Sequence, residues 1–169
     1  MTCILTQGFA KDCRDSIGGL KTVYVANLQS IDSITEANGE VTAITMDGGA
    51  NFYKYELRRN TSTFTEEIET DDANGTAFFG QELTIQLTKL EAAKRNEILL
   101  LAHADVVAIV EDRNGKHWFA GKTNGLTLGG SATTGTAMAD TNGYELTFTG
   151  EEAEPAPEVS GSIIAGLLE

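Results

Sequence analysis

The sequence predicts a mainly β protein: an antiparallel β-sandwich or barrel with one flanking α-helix over about 88–103, a long β-hairpin over about 61–89 and extended arms at both ends. Three observations predict it. The pairs Asn38-Gly39, Asn74-Gly75, Asn114-Gly115, Asn124-Gly125 and Asn142-Gly143 punctuate the chain, and both residue types accept the positive φ that tight hairpin turns require. Most segments between them alternate apolar and polar residues with period two, as strands with one dry and one wet face do. Only the stretch after Thr88 carries helical signals, so hairpins are expected rather than a βαβ repeat.

Residues 1–19 form an arm: Ile4, Leu5 and Phe9 are too apolar for a free tail, and Gly18-Gly19 separates it from the first strand. Leu20–Leu28 reads as that strand, with Val23 and Val25 on one face and Thr22, Tyr24 and Ala26 on the other. Ile31 and Ile34 fall in a short irregular piece. Glu40–Met46 is a second strand, and Asn51–Arg59 a third with Tyr53, Tyr55 and Leu57 on one face. The hairpin comes next, with an outgoing arm through Phe64, Glu66 and Ile68, a turn at Asp71-Asp72-Ala73-Asn74-Gly75 and a return arm to Lys89. On the return arm Ala77, Phe79, Leu83, Ile85 and Leu87 share the dry face, while Phe78, Glu82, Thr84, Gln86 and Thr88 share the wet one. Strands usually run about five or six residues, so this pair is long.

Thr88-Lys89-Leu90-Glu91 reads as a capping box opening the helix. Glu91 and Arg95 are spaced to pair across one turn, Ile98, Leu101 and Ala102 make the apolar face, and His103 sits at the negative helix end. Beyond it Val106–Glu111, Lys116–Gly121, Leu126–Leu128 and Tyr144–Thr149 read as strands, and Gly129–Asp140, small and polar, as a flexible loop. Glu151–Glu158, acidic and holding both prolines, reads as an extended linker to an apolar C-terminal arm through Ile163, Ile164, Leu167 and Leu168. Three parts are therefore expected: an arm over 1–19, a β-sandwich over 20–150, and a linker and arm over 151–169.

At 169 residues the chain is long enough for one real core. A net charge of -13 argues against a protein that wraps nucleic acid, because phosphate binding rests on clustered Lys and Arg. Cys3 and Cys13 read as two reduced thiols. No apolar run approaches the ~20 residues a spanning helix needs, and the opening residues lack the pattern of a secretory signal.

No catalytic signature is present: no nucleophile elbow, no phosphate-cradling loop, and no zinc spacing around His103 and His117. The acidic run Glu66, Glu67, Glu69, Asp71 and Asp72 does not match a calcium loop and reads as a solvated strand and tip. Neither a cofactor nor a metal is expected. The apolar C-terminal segment either folds back over its own sheet or docks on a neighbour.

The layout of Leu20–Arg59, the hairpin Thr61–Lys89, the helix Thr88–His103 and the strands Val106–Thr149 resembles that of bacteriophage tail tube proteins, whose fold is shared by the type VI secretion tube. The opening Cys3-Ile4-Leu5 through Gly18-Gly19-Leu20-Lys21 and the ending Tyr144–Thr149 also resemble phage virion proteins. The likeness spans nearly the whole chain but is one of layout, without a diagnostic motif. It implies a non-enzymatic virion subunit, assembled in the bacterial host cytoplasm, that forms hexameric rings stacked into a hollow tube. Its partners would be copies of itself and other tail proteins, and DNA would pass through without specific binding. It also implies a barrel closed between subunits, with an acidic lumen that repels phosphate. Carried onto this chain, Glu66 or Glu67, Glu69, Glu82, Thr84 and Gln86 would line the lumen. The outgoing arm leaves open which of its faces looks inward. Ile4, Leu5, Phe9, Ile163, Ile164, Leu167 and Leu168 would tie ring to ring. Other readings are a head–tail connector, a tail terminator, a decoration protein, or a monomeric β-sandwich that binds a ligand such as a sugar.

Overall fold

The computed structural model describes residues 4–168; Cys3, and with it the question of its pairing with Cys13, lies outside them. The chain forms a mainly β sandwich. Its larger sheet has seven strands in the order β2-β3-β11-β8-β7-β1-β4 and its smaller one four, in the order β5-β6-β10-β9.

In the large sheet β1 (Leu20–Asn27) lies between β4 (Tyr53–Glu56) and β7 (Val106–Asp112), and β7 pairs on with β8 (His117–Ala120). The expected alternation of β1 holds. Val23 and Val25 enter the core between the sheets, while Tyr24 and Ala26 enter a second core on the opposite face. Both faces of β1 and β7 are therefore dry, which explains the apolar run Val106–Val110. At the far edge β2 (Ile31–Ala37) and β3 (Glu40–Met46) form a hairpin about Asn38-Gly39, whose φ values of 55 and 79° are those of a primed turn. The irregular piece expected at Ile31 and Ile34 is instead strand. A 3-10 turn precedes it at Leu28–Ser30, and the β3 ladder holds the rest extended. The third strand is shorter than Asn51–Arg59, because β4 leaves the ladder after Glu56 to cross to the other sheet.

The small sheet is built on the long hairpin of β5 (Thr63–Asp71) and β6 (Thr76–Thr88). β10 (Gly143–Glu152) pairs with β6, and β9 (Thr127–Thr133) pairs with β10. The flexible loop expected over Gly129–Asp140 is thus half strand. Its glycines fit the ladder because backbone packs close there: a Cβ on Gly130 would lie 2.2 Å from the Glu145 carbonyl oxygen. Gly143 is likewise not a left-handed turn residue. It opens β10 where a Cβ would lie 2.0 Å from the Leu87 carbonyl oxygen.

The helix α1 (Ala92–Leu101) is shorter than the span expected over 88–103. Thr88 ends β6, Lys89 bends the chain at φ 67°, and Glu91 is the N-cap without a side-chain cap bond, so no capping box forms. Glu91 pairs with Lys94 at 3.6 Å rather than with Arg95. Leu101 is buried and Ile98 packs on the core, while Leu99 and Leu100 face out. His103 holds the Leu99 carbonyl through Nδ1 at 2.8 Å, at the helix end as expected.

The largest correction concerns the C-terminal segment. It is neither linker nor free arm. β11 (Glu158–Val159) inserts between β3 and β8, and a second helix, α2 (Gly161–Leu167), covers the outer face of the large sheet. Ile164 and Leu167 are buried, with Ile163 and Leu168 packed beside them. The Leu167 carbonyl accepts from the Phe52 N–H at 2.8 Å. Ile164 and Leu167 are thus spent on the chain's own sheet rather than held out toward a neighbour, while Ile163 and Leu168 are half-buried beside them.

Candidate functional site

The small sheet is where the predicted site residues meet. Unbroken registers across all four of its strands settle the two faces. Thr63 lies opposite Thr84, Thr84 opposite Thr147, and Thr147 opposite Gly129. Two residues further along β5, Thr65, Glu82, Thr149 and Thr127 form the next row, and Glu67, Gly80 and Glu151 the row after it. In the other direction Gln86, Glu145 and Ser131 align. Paired residues in a ladder share a face, so Glu67, Glu69, Glu82, Thr84 and Gln86 lie on one wet face. Glu145 and Glu151 of β10, which the alternation of the hairpin alone does not reveal, join them.

This face has no cation. Its side chains are Thr, Glu, Ser and Gln, with Asp71 at one end and a single aromatic, Phe78. The chain has 12 Lys and Arg residues, and none falls within β5, β6, β9 or β10. Asp71 caps the hairpin tip. Its carboxylate accepts from the Asn74 backbone N–H at 3.1 Å and from Nδ2 at 2.7 Å, and these bonds hold it below the usual carboxylate range.

Glu66 belongs elsewhere. It shares a face with Phe64 and Ile68, the dry side of the sheet. Its Oε2 accepts from Gln81 Nε2 at 2.9 Å and from the Ala156 N–H at 2.8 Å, and Gln81, itself buried, accepts from the Gly121 N–H at 2.8 Å. The period-two pattern groups Glu66 with Phe64 and Ile68, and the ladder with β6 makes that face the dry one. The expectation that Glu66 lines a channel fails because a half-buried carboxylate finds donors in a loop about 90 residues away. Nearby, buried Glu152 accepts from the Thr123 and Asn124 N–H groups at 3.0 and 2.7 Å. Both acids are structural: they hold the 121–125 turn and the 153–157 crossing against the small sheet.

The edges of the small sheet complete the site. β5 and β9 are its outermost strands, and each is paired on one side only. Across the sheet the four strands alternate in direction. A β9 edge placed beside the β5 edge of a second copy therefore continues an antiparallel ladder with wet face beside wet face.

Among the described residues no group of three or more His, Cys, Asp or Glu converges as a metal site, and no helix is long and apolar enough to cross a membrane. His117 sits on the opposite, large sheet, tilted against Tyr24 at 6.4 Å between ring centres and away from His103. The N-terminal residues Ile4, Leu5 and Phe9 are 75, 97 and 89% exposed and make no strand or helix. No family model matches the chain, and neither a curated protein nor a solved structure is significantly similar to it.

Proposed function

We propose that the chain is a structural subunit of the tail-tube type. It assembles, without catalysis, into rings that stack into a conduit within a virion, through which DNA moves without specific binding. The observation that carries this reading is the small sheet: an acidic and hydroxylic face free of Lys and Arg, bounded by two open strand edges of compatible direction. Open edges are costly to leave unpaired, and closing them between copies removes them. Copies of a four-stranded sheet in a ring of six exceed the about 16–18 strands that already leave a water-filled channel. Carboxylates on its inner wall repel duplex phosphates, and the absent cations remove the contacts by which DNA sticks.

Light scattering across a concentration series, with negative-stain microscopy of the same samples, tests it. Rings or tubes are expected. A monomer mass at every concentration, with no rings in the images, overturns the reading. The same outcome favours a second reading, a monomeric module for a polar ligand such as a sugar. That reading draws on the groove of the wet face between Thr65, Glu82, Asn124, Thr149 and Glu151.

A further inference from the structure

The molecule has two unlike ends. At one, Gln81 and Gly150 of the small sheet meet Gly121 and Gly125 of the turn between β8 and β9. At the other, Leu57 still bonds to Lys21 while Gln86 bonds to Ser62, so the chain crosses between sheets there. The β5–β6 hairpin runs past the first end. Phe79 is the last residue of β6 with a β10 partner, so from Phe79 to Thr76 the hairpin projects unflanked by about 10 Å at the usual strand rise. Cover thins out along the dry face there: Phe79, beside buried Glu152, is half-buried. Ile68 lies opposite Phe79 on the core side of the sheet, yet Ile68 is 70% exposed and Ala77 beside it is also exposed.

The N-terminal arm leaves from the second end. Asn114, in the β7–β8 turn, clasps the backbone of Ile17 with Oδ1 at 2.9 Å from the N–H and Nδ2 at 2.8 Å from the carbonyl. Beyond that clasp the arm carries Phe9, Leu5 and Ile4, all largely exposed rather than packed on their own sandwich. An uncovered apolar strip therefore sits at one end of the molecule and an unhoused apolar segment at the other. To cover its own strip the arm would have to lie nearly straight along the whole sandwich. A copy stacked end to end brings the strip to the root of the arm.

We infer that the Ile68–Phe79 underside of one copy's hairpin is the docking surface for the Ile4–Phe9 segment of the next copy. The contact joins different surfaces of two copies, so it is heterologous, and repeated along one direction it builds a filament with polarity. This deepens the assembly reading above by naming which surface holds which segment, and it rests on that reading only for the ring that is stacked.

Disulfide trapping between two separately purified full-length populations tests it, both with Cys3→Ser and Cys13→Ser. One carries Phe9→Cys and the other Ile68→Cys, both at exposed positions. Mixing under mild oxidant is expected to give a mixed dimer on a non-reducing gel. Its yield should exceed that of a control pair with Asp32→Cys in place of Ile68→Cys by about tenfold, given the millimolar local concentrations of docked groups. No excess over the control overturns the inference. So does a chain carrying both cysteines that closes on itself while the mixture gives no dimer. Microscopy of Ile68→Asp separates the two proposals: rings that no longer stack support the docking surface, and tubes of normal length overturn it. Absence of rings in the unsubstituted protein overturns the assembly reading alone, since the mixed dimer is scored without them.

Discussion

Gln81 is where the polar bonding under the hairpin is most exposed to substitution. It is almost fully buried, donates to Glu66 and accepts from Gly121. Gln81→Ala strands a buried N–H and removes a donor from a carboxylate, which costs about 1–3 kcal/mol. The expected result is a lower urea midpoint with an unchanged slope; an unchanged midpoint shows that water replaces the side chain. Tyr55 offers a pH test. Burial, then the nearby Glu97 and Tyr53, push its phenol up to about 12. Below the ordinary value of 10.0 both folded and unfolded chains keep the proton and the group contributes nothing. Above it the unfolded chain ionises first, so stability falls as pH rises from there toward about 12. Tyr55→Phe should flatten the alkaline limb of a stability-against-pH curve, and an unchanged limb refutes this source.

At the scale of elements, the hairpin and the C-terminal segment show opposite degrees of legibility. The alternation of β6 from Ala77 to Leu87 marks its dry face correctly, and in β5 the same period puts Glu66 with Phe64 and Ile68. The long hairpin, the strand faces of β1 and the general position of α1 were therefore readable. β11 and α2 were not. Glu158-Val159 is too short to show a period, and an acidic segment with two prolines looks like linker until β3 and β8 offer it a slot. α2 is apolar at Ile163, Ile164 and Leu167 but only 7 residues long, too short to show a helical period, and it is the cluster shared with Phe52 and Ile109 that gives those residues a place. Leu167→Ala should cost about 2–5 kcal/mol in the isolated subunit, as large-to-small core changes do. Chemical unfolding of that subunit checks it. A stability loss seen only in assembled material would mean the segment docks on a neighbour after all.

At the scale of the whole molecule, charge is segregated. The wet face gathers Glu67, Glu69, Glu82, Glu145 and Glu151, while the cations decorate the large sheet, the helix and the arm, where several are paired: Lys21 with Glu111 at 3.0 Å, and Lys122 with Glu36 at 2.7 Å. Exposed pairs of this kind add little stability, so the segregation matters for what the face repels more than for folding. Replacing Glu67, Glu69 and Glu82 together by Lys should change subunit stability by no more than about 0.5 kcal/mol per site, as at other exposed positions. Ring formation should persist, and the variant alone should retain duplex DNA at low salt in a gel-shift measurement. Equal retention by both proteins would remove electrostatic repulsion from the account of the face.

The sequence by itself determined the strand period, most turn positions and the sign of the hairpin's wet face, because these depend on neighbours two to four residues apart. The tertiary structure alone decided what lies far apart in the chain: that Glu66 serves the 153–157 crossing, that β11 completes the large sheet, and that the apolar C-terminal residues belong to this molecule's own core. It also decided that the hairpin outruns the sandwich, leaving Ile68 bare. A residue's partners along a strand are written in its period, but the cover over a face depends on where another sheet ends.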